Sequence, residues 1–106
     1  MMKVLLVCSA GMSSAIAAKS LHEAAEKEGI EMEVNEASTS QFEDLIGKGY
    51  DLALVAPQIR HRFKTLAPIA EKHHVPILQI KPKGYSGIGG KFLLAQIKEE
   101  ASQVFK

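Results

Sequence analysis

The only cysteine in the chain, Cys8, ends an apolar run and directly precedes small residues, in LLVCSAGMSSAIA (Leu5 to Ala17). A thiol becomes a nucleophile when its surroundings favour the thiolate. The stretch CSAGMSS offers such surroundings. Ser9, Ala10 and Gly11 are small, and Gly11 can take positive φ without strain. A turn of this kind lets successive backbone N–H groups converge on one point. A helical pattern follows at once and adds unpaired N–H groups and the positive end of the helix dipole. Ser9, Ser13 and Ser14 can contribute hydroxyl donors or cap that helix. The result is an anion site centred on the sulfur, which should lower the pKa of Cys8. A thiolate beside a cradle for a dianionic group suits phosphoryl transfer through a phosphocysteine. The competing reading is structural, because cysteine is among the most often buried residue types.

The elements around Cys8 decide between the two. KVLLVC (Lys3 to Cys8) is continuously apolar and reads as a strand buried on both faces. From about Ser13 to Glu28 the pattern is helical, with Ile16, Ala17, Leu21 and Ala24 or Ala25 on one face. Lys19, Glu23 and Lys27 share another face at spacing suited to pairing, and Gly29 is the stop signal. EMEVNE (Glu31 to Glu36) alternates and reads as a half-exposed edge strand. Ser38, Thr39 or Ser40 can cap a short helix carrying Phe42, Leu45 and Ile46, ended by GKG.

A second buried strand spans about Leu52 to Val55, and Pro57 stops it. A helical stretch to about Lys72 is expected to bend or divide near Pro68. VPILQI is a short fourth strand, and KPKGYSGIGG is a loop. The last helix starts around Gly89 to Lys91, with Leu94, Ile97, Ala101 and Val104 as its inner stripe.

Alternating strands and helices imply parallel strands joined by right-handed crossovers. The expected fold is α/β: a small doubly wound four-stranded parallel sheet, order 2-1-3-4, with helices on both faces. Ligands of such sheets bind beyond the carboxyl ends of the strands, where the strand order reverses. Here that crevice lies between the ends of the first and third strands. Cys8 sits at one of these ends, and APQI (Ala56 to Ile59) follows the other. The position favours a working cysteine.

The 106 residues suit one domain, 1–106, and both ends read as complete, so a free-standing protein is expected. The chain is 46% hydrophobic and 24% charged with net charge +1, enough for one core. Neutrality and 6% aromatics argue against nucleic-acid binding. The start is too short for a signal peptide, and no apolar stretch could span a bilayer. One cysteine cannot form an internal disulfide. These features predict a cytoplasmic domain with a reduced thiol; a monomer with no membrane insertion is expected.

The chain resembles the IIB component of the bacterial sugar phosphotransferase system, of the lactose/cellobiose (diacetylchitobiose) family. The likeness covers essentially the whole sequence. It rests on CSAGMSSA (Cys8 to Ala15), on ALVAPQIRHRF (Ala53 to Phe63) and, less strongly, on KGYSGIGGKFLL (Lys83 to Leu94). The resemblance implies that Cys8 accepts a phosphoryl group from a phosphohistidine of a IIA partner. It implies that the group then passes to a sugar held by a membrane-embedded IIC partner. Ser9, Ala10, Gly11, Met12, Ser13, Ser14 and Ala15 would form the phosphate cradle, and Pro57 and Gln58 the neighbouring rim. No metal or organic cofactor is implied. The third stretch departs from the family pattern of Tyr-Gly followed by an acidic residue before a later glycine. It has Tyr85-Ser86, and Gly89 before Gly90. No catalytic role is carried onto it, and Tyr85 reads equally as a packing residue or a contact.

Two other functions compete. A low-molecular-weight tyrosine phosphatase also places a cysteine after its first strand, but with an arginine six positions on. Here that position is Ser14, which removes the bidentate clamp on the phosphoryl group. A regulatory domain of the same fold, with Cys8 only redox-sensitive, is the non-enzymatic alternative. Adjacent His73 and His74 are poor metal geometry and fit a helix C-terminus. His22 is expected on an exposed helix face. The basic cluster Arg60-His61-Arg62 reads as a solvated face, or as a surface that receives an acidic rim on IIA or IIC. Lys81 and Lys83 could contribute to the same surface.

Overall fold

Val4 to Val7 and Leu52 to Val55 are wholly buried, as their unbroken apolar runs predict for central strands of a sheet covered on both faces. The computed structural model describes residues 2–8, 11–85 and 89–101. In chain order these form β1 (Met2–Cys8), α1 (Gly11–Lys27), β2 (Met32–Ser38), α2 (Thr39–Ile46), β3 (Leu52–Val55), α3 (Phe63–Lys72), β4 (Ile77–Gln79) and α4 (Gly90–Glu100). Short 3-10 turns occupy Pro57–Arg62 and Pro82–Gly84. The strands pair in parallel in the order β2-β1-β3-β4, as expected.

The pleat sends alternate side chains to opposite faces. Val4, Leu6, Leu52 and Leu54 pack under α1 and α4 with Leu21, Leu93, Leu94 and Ile97. Leu5, Val7, Ala53 and Val55 pack under α2 and α3 with Phe42, Ile46, Leu66 and Ala70. Each fully buried leucine contributes about 1.5–3 kcal/mol of transfer free energy.

Local signals set the element ends. α1 stops in a Schellman motif: Gly29 takes φ 73, its N–H reaches the Glu26 carbonyl, and the Ile30 N–H reaches that of Ala25. The same motif ends α3. The His74 N–H donates to Glu71 O and the Val75 N–H to Ala70 O, with His74 at φ 60. The two adjacent histidines therefore sit at the helix terminus, as their sequence suggested. Ser38 is the N-cap of α2, and its N–H donates to Gln41 Oε1 at 3.1 Å.

Five expectations are corrected. α1 begins at Gly11, two residues before Ser13, so Gly11 is a helical residue. Ile16 is 57% exposed, because the buried stripe runs through Ala17, Ala18, Leu21 and Ala25 and leaves its neighbour on the outer side. The stretch after β3 divides inside its 3-10 turn, ahead of α3; Pro68 stays inside α3. The non-helical Ile59 (φ −117, ψ 28) marks the kink. The inner stripe of α4 also holds Leu93 and Gln96, while Val104 lies outside the described residues. Lys19, Glu23 and Lys27 are exposed, and the ion pairs among the described residues do not join them.

Candidate functional site

β1 delivers Cys8 to the carboxyl end of the sheet, between two different neighbours. On one side Cys8 is in register with Ser38, the last residue of β2. On the other, Val7 is in register with Val55, and the ladder runs one step further because the Ala56 N–H donates to Val7 O at 2.9 Å. This is the crevice where the strand order reverses. Strict alternation would turn Cys8 toward α1 and α4 with Val4 and Leu6. It belongs instead to the buried cluster on the α2/α3 side, which also holds Val7, Ala56 and Ile59. The residue is 3% exposed, so burial and a site position coincide in one side chain.

Burial by itself disfavours a thiolate, because the charge loses water. Compensation must come from donors around the sulfur. One is the Tyr85 hydroxyl, which donates to Cys8 Sγ at 3.3 Å. Tyr85 follows the 3-10 turn Pro82–Gly84 and packs against both hydrophobic clusters. A second source is α1, whose first helical residue is Gly11, three positions after Cys8. Its first-turn N–H groups have no partners within the helix.

The cradle residues are placed only in part. Ser9 and Ala10 lie outside the described residues, as do the side chains of Met12, Ser13 and Ser14. The backbone of Gly11 to Ala15 forms the start of α1, and Ala15 is exposed. Pro57 and Gln58 open the 3-10 turn just past β3; Pro57 is half-buried and Gln58 exposed. Arg60, His61 and Arg62 are exposed on that turn, and Arg60 Nη1 donates to Pro57 O at 3.3 Å. His22 is exposed as expected, yet its Nδ1 lies 2.8 Å from Met32 O. Among the described residues, no group of three or more His, Cys, Asp or Glu could hold a metal ion.

Two glutamines that the sequence reading passed over brace the same end of the sheet. Gln79 Nε2 donates to Val55 O at 3.1 Å and Ala56 O at 3.3 Å, the carbonyls that lead into Pro57. Gln96, buried on α4, donates from Nε2 to Gln79 O at 2.7 Å and accepts from the Lys81 N–H at 3.2 Å. It thereby pins the start of the segment that carries Tyr85. A polar residue inside the apolar run VPILQI, and another on the inner face of the last helix, were the available signals. Nothing local marked Tyr85 as a neighbour of Cys8, since its partner lies 77 positions away.

The comparisons with known proteins bear on the family and the fold. A family model described as "PTS system, Lactose/Cellobiose specific IIB subunit" matches residues 3–101. The lactose-specific IIB component domain of the phosphoenolpyruvate:carbohydrate phosphotransferase system from Streptococcus pneumoniae superposes with a TM-score of 0.75. It is 24% identical, over 90% of this chain and 95% of that one. The cellobiose-specific phosphotransferase IIB component protein from Borrelia burgdorferi gives a TM-score of 0.71 at 27% identity, over 98% of this chain and 91% of that one. No curated protein sequence matches the chain.

Proposed function

The chain belongs to the lactose/cellobiose-specific IIB subunit family of the phosphotransferase system, and from that premise we propose that Cys8 is its phosphoryl-carrying residue. Family membership gives a role in sugar phosphotransfer. The carrier assignment is supported above all by one observation: the chain's only cysteine ends β1 at the crevice, three residues before the start of α1.

In the first step the Cys8 thiolate attacks the phosphorus of a phosphohistidine on a IIA protein. The S–P bond forms as the N–P bond breaks, and the electron pair leaves with the imidazole nitrogen. Backbone N–H groups at the start of α1, within the cradle Ser9 to Ala15, hold the equatorial oxygens. Pro57 and Gln58 form the rim of the crevice. In the second step a sugar hydroxyl, held by a IIC permease, attacks the phosphocysteine. The S–P bond breaks, and the sulfur leaves as thiolate. Ser14 stands where a hydrolase of similar layout needs its arginine, so the arrangement favours carrying the group over hydrolysing it.

The reading extends to a single-domain monomer acting on the cytoplasmic side of the membrane, with no metal or organic cofactor in the transfer. No helix among the described residues is long and apolar enough to cross a membrane. The test is phosphorylation from phosphoenolpyruvate through the general phosphotransferase proteins and a IIA protein, read by phosphorus NMR. A thiophosphate-ester signal, absent from Cys8→Ser of unchanged fold, is the expected result. Stable labelling of Cys8→Ser under the same conditions would falsify the assignment.

A further inference from the structure

Tyr85 makes a contact with Cys8 that carrying a phosphoryl group must alter. Its hydroxyl donates to Cys8 Sγ at 3.3 Å in the unphosphorylated protein. A thiolate sulfur bears a full negative charge and accepts such a bond strongly. Once the sulfur is esterified, its charge moves to the phosphoryl oxygens, and it accepts weakly. We propose that Tyr85 is a positioning residue whose hydroxyl stabilises the free Cys8 thiolate over the phosphocysteine, and so raises the tendency of the phosphoryl group to be handed on. The proposal rests on Cys8 being the carrier.

Placement supports the role. Tyr85 sits where the two hydrophobic clusters meet, so its ring is held from both sides of the sheet. The segment leading to it is pinned by the Lys81 N–H on Gln96 and by the Tyr85 N–H on Pro82 O at 3.1 Å. A donor anchored in this way does not have to be ordered when the thiolate forms, which is the condition for useful electrostatic stabilisation.

The chemistry stays balanced, because Tyr85 keeps its proton throughout. On phosphorylation the O–H···S⁻ bond is given up as the S–P bond forms. On transfer to the sugar the S–P bond breaks, the electron pair stays on sulfur, and the O–H···S⁻ bond returns. The sugar hydroxyl proton goes to solvent. The same contact therefore opposes loading and assists unloading, by equal free energies.

Tyr85→Phe removes the hydroxyl and keeps the ring; Tyr85→Ala removes both. The rate of Cys8 alkylation by iodoacetamide as a function of pH reports the thiolate in each. Equilibration with a phosphorylated lactose/cellobiose-type IIA protein, read by phosphorus NMR, reports the loading equilibrium. Tyr85→Phe should raise the midpoint of the alkylation profile by about one pH unit. It should also shift the loading equilibrium about tenfold toward phosphocysteine above that midpoint. An unchanged profile in Tyr85→Phe, with an effect only in Tyr85→Ala, would reduce Tyr85 to packing and overturn the proposal. So would a shifted profile with an unchanged equilibrium, since the hydroxyl would then serve both states alike. If wild-type Cys8 takes up no phosphoryl group at all, the carrier reading fails, while the alkylation profile still tests the contact.

Discussion

Gly90 and Ser20 touch through their backbones: a Cβ on Gly90 would stand 2.1 Å from the Ser20 carbonyl oxygen. The Gly90 N–H also donates to Ser20 Oγ at 2.8 Å. The first turn of α4 is thus capped by a side chain from the middle of α1, in place of a residue of its own. The approach locks the two helices that cover one face of the sheet. It also helps to hold α1, and therefore its N-terminus, against the end of β1.

Gly90→Ala should consequently cost about 3 kcal/mol, because backbone rather than a flexible side chain must give way. Ser20→Ala, which removes only the capping bond, should cost about 1 kcal/mol. Urea unfolding of both variants checks the order. Equal stabilities would mean that the helices slide apart at no cost.

Replacing Gln96 with leucine should destabilise the protein by about 2 kcal/mol. It strands the Gln79 carbonyl and the Lys81 N–H in a partly buried place. The effect should also appear locally, as faster amide hydrogen exchange at Lys81 and Tyr85 than at residues in β1. Uniform loss of protection across the sheet would show that Gln96 serves global stability alone.

Charge reversal at Arg60 and Arg62 should slow phosphoryl acceptance from IIA by roughly tenfold at low salt, and less as salt rises. Both residues are exposed on the turn that starts at Pro57, beside the crevice. Exposed charges of this kind act on encounter more than on bound-state stability. A rate that ignores both the substitution and the ionic strength would leave the cluster as a solvated face.

His74→Gly should stabilise the fold by about 1 kcal/mol. His74 occupies the left-handed position of the α3 Schellman motif, where a side chain is strained and glycine is not. The midpoint of urea unfolding should rise. A fall would mean that the imidazole makes an interaction worth more than the backbone strain.

Much of the fold was legible from local patterns. Unbroken apolar runs marked β1 and β3 as central, alternation marked β2 as an edge, and Gly29 and Pro57 marked ends. The parallel order followed from alternation of element types. Errors arose where a pattern was locally ambiguous. Ile16 reads as core because it is large and apolar, yet the small residues beside it let α1 lie close to the sheet, and Ile16 is turned out. Pro68 reads as a breaker, but α3 continues through it, and the non-helical residue lies upstream at Ile59.

The sequence by itself determined that one thiol would stand at the end of a central strand, before small residues and a helix start. Those are consequences of residue type and order over a dozen neighbouring positions. It could not determine what faces that thiol, because contacts across the sheet end join residues far apart in the chain. Only the tertiary structure decided that Cys8 joins the cluster on the α2/α3 side, that Tyr85 donates to its sulfur, and that Gln79 and Gln96 brace the segments on either side. The physical reason is that helical and pleated periodicities are set by the local backbone. Which loop folds over a strand end is set by the packing of the two clusters, and that is a property of the whole chain.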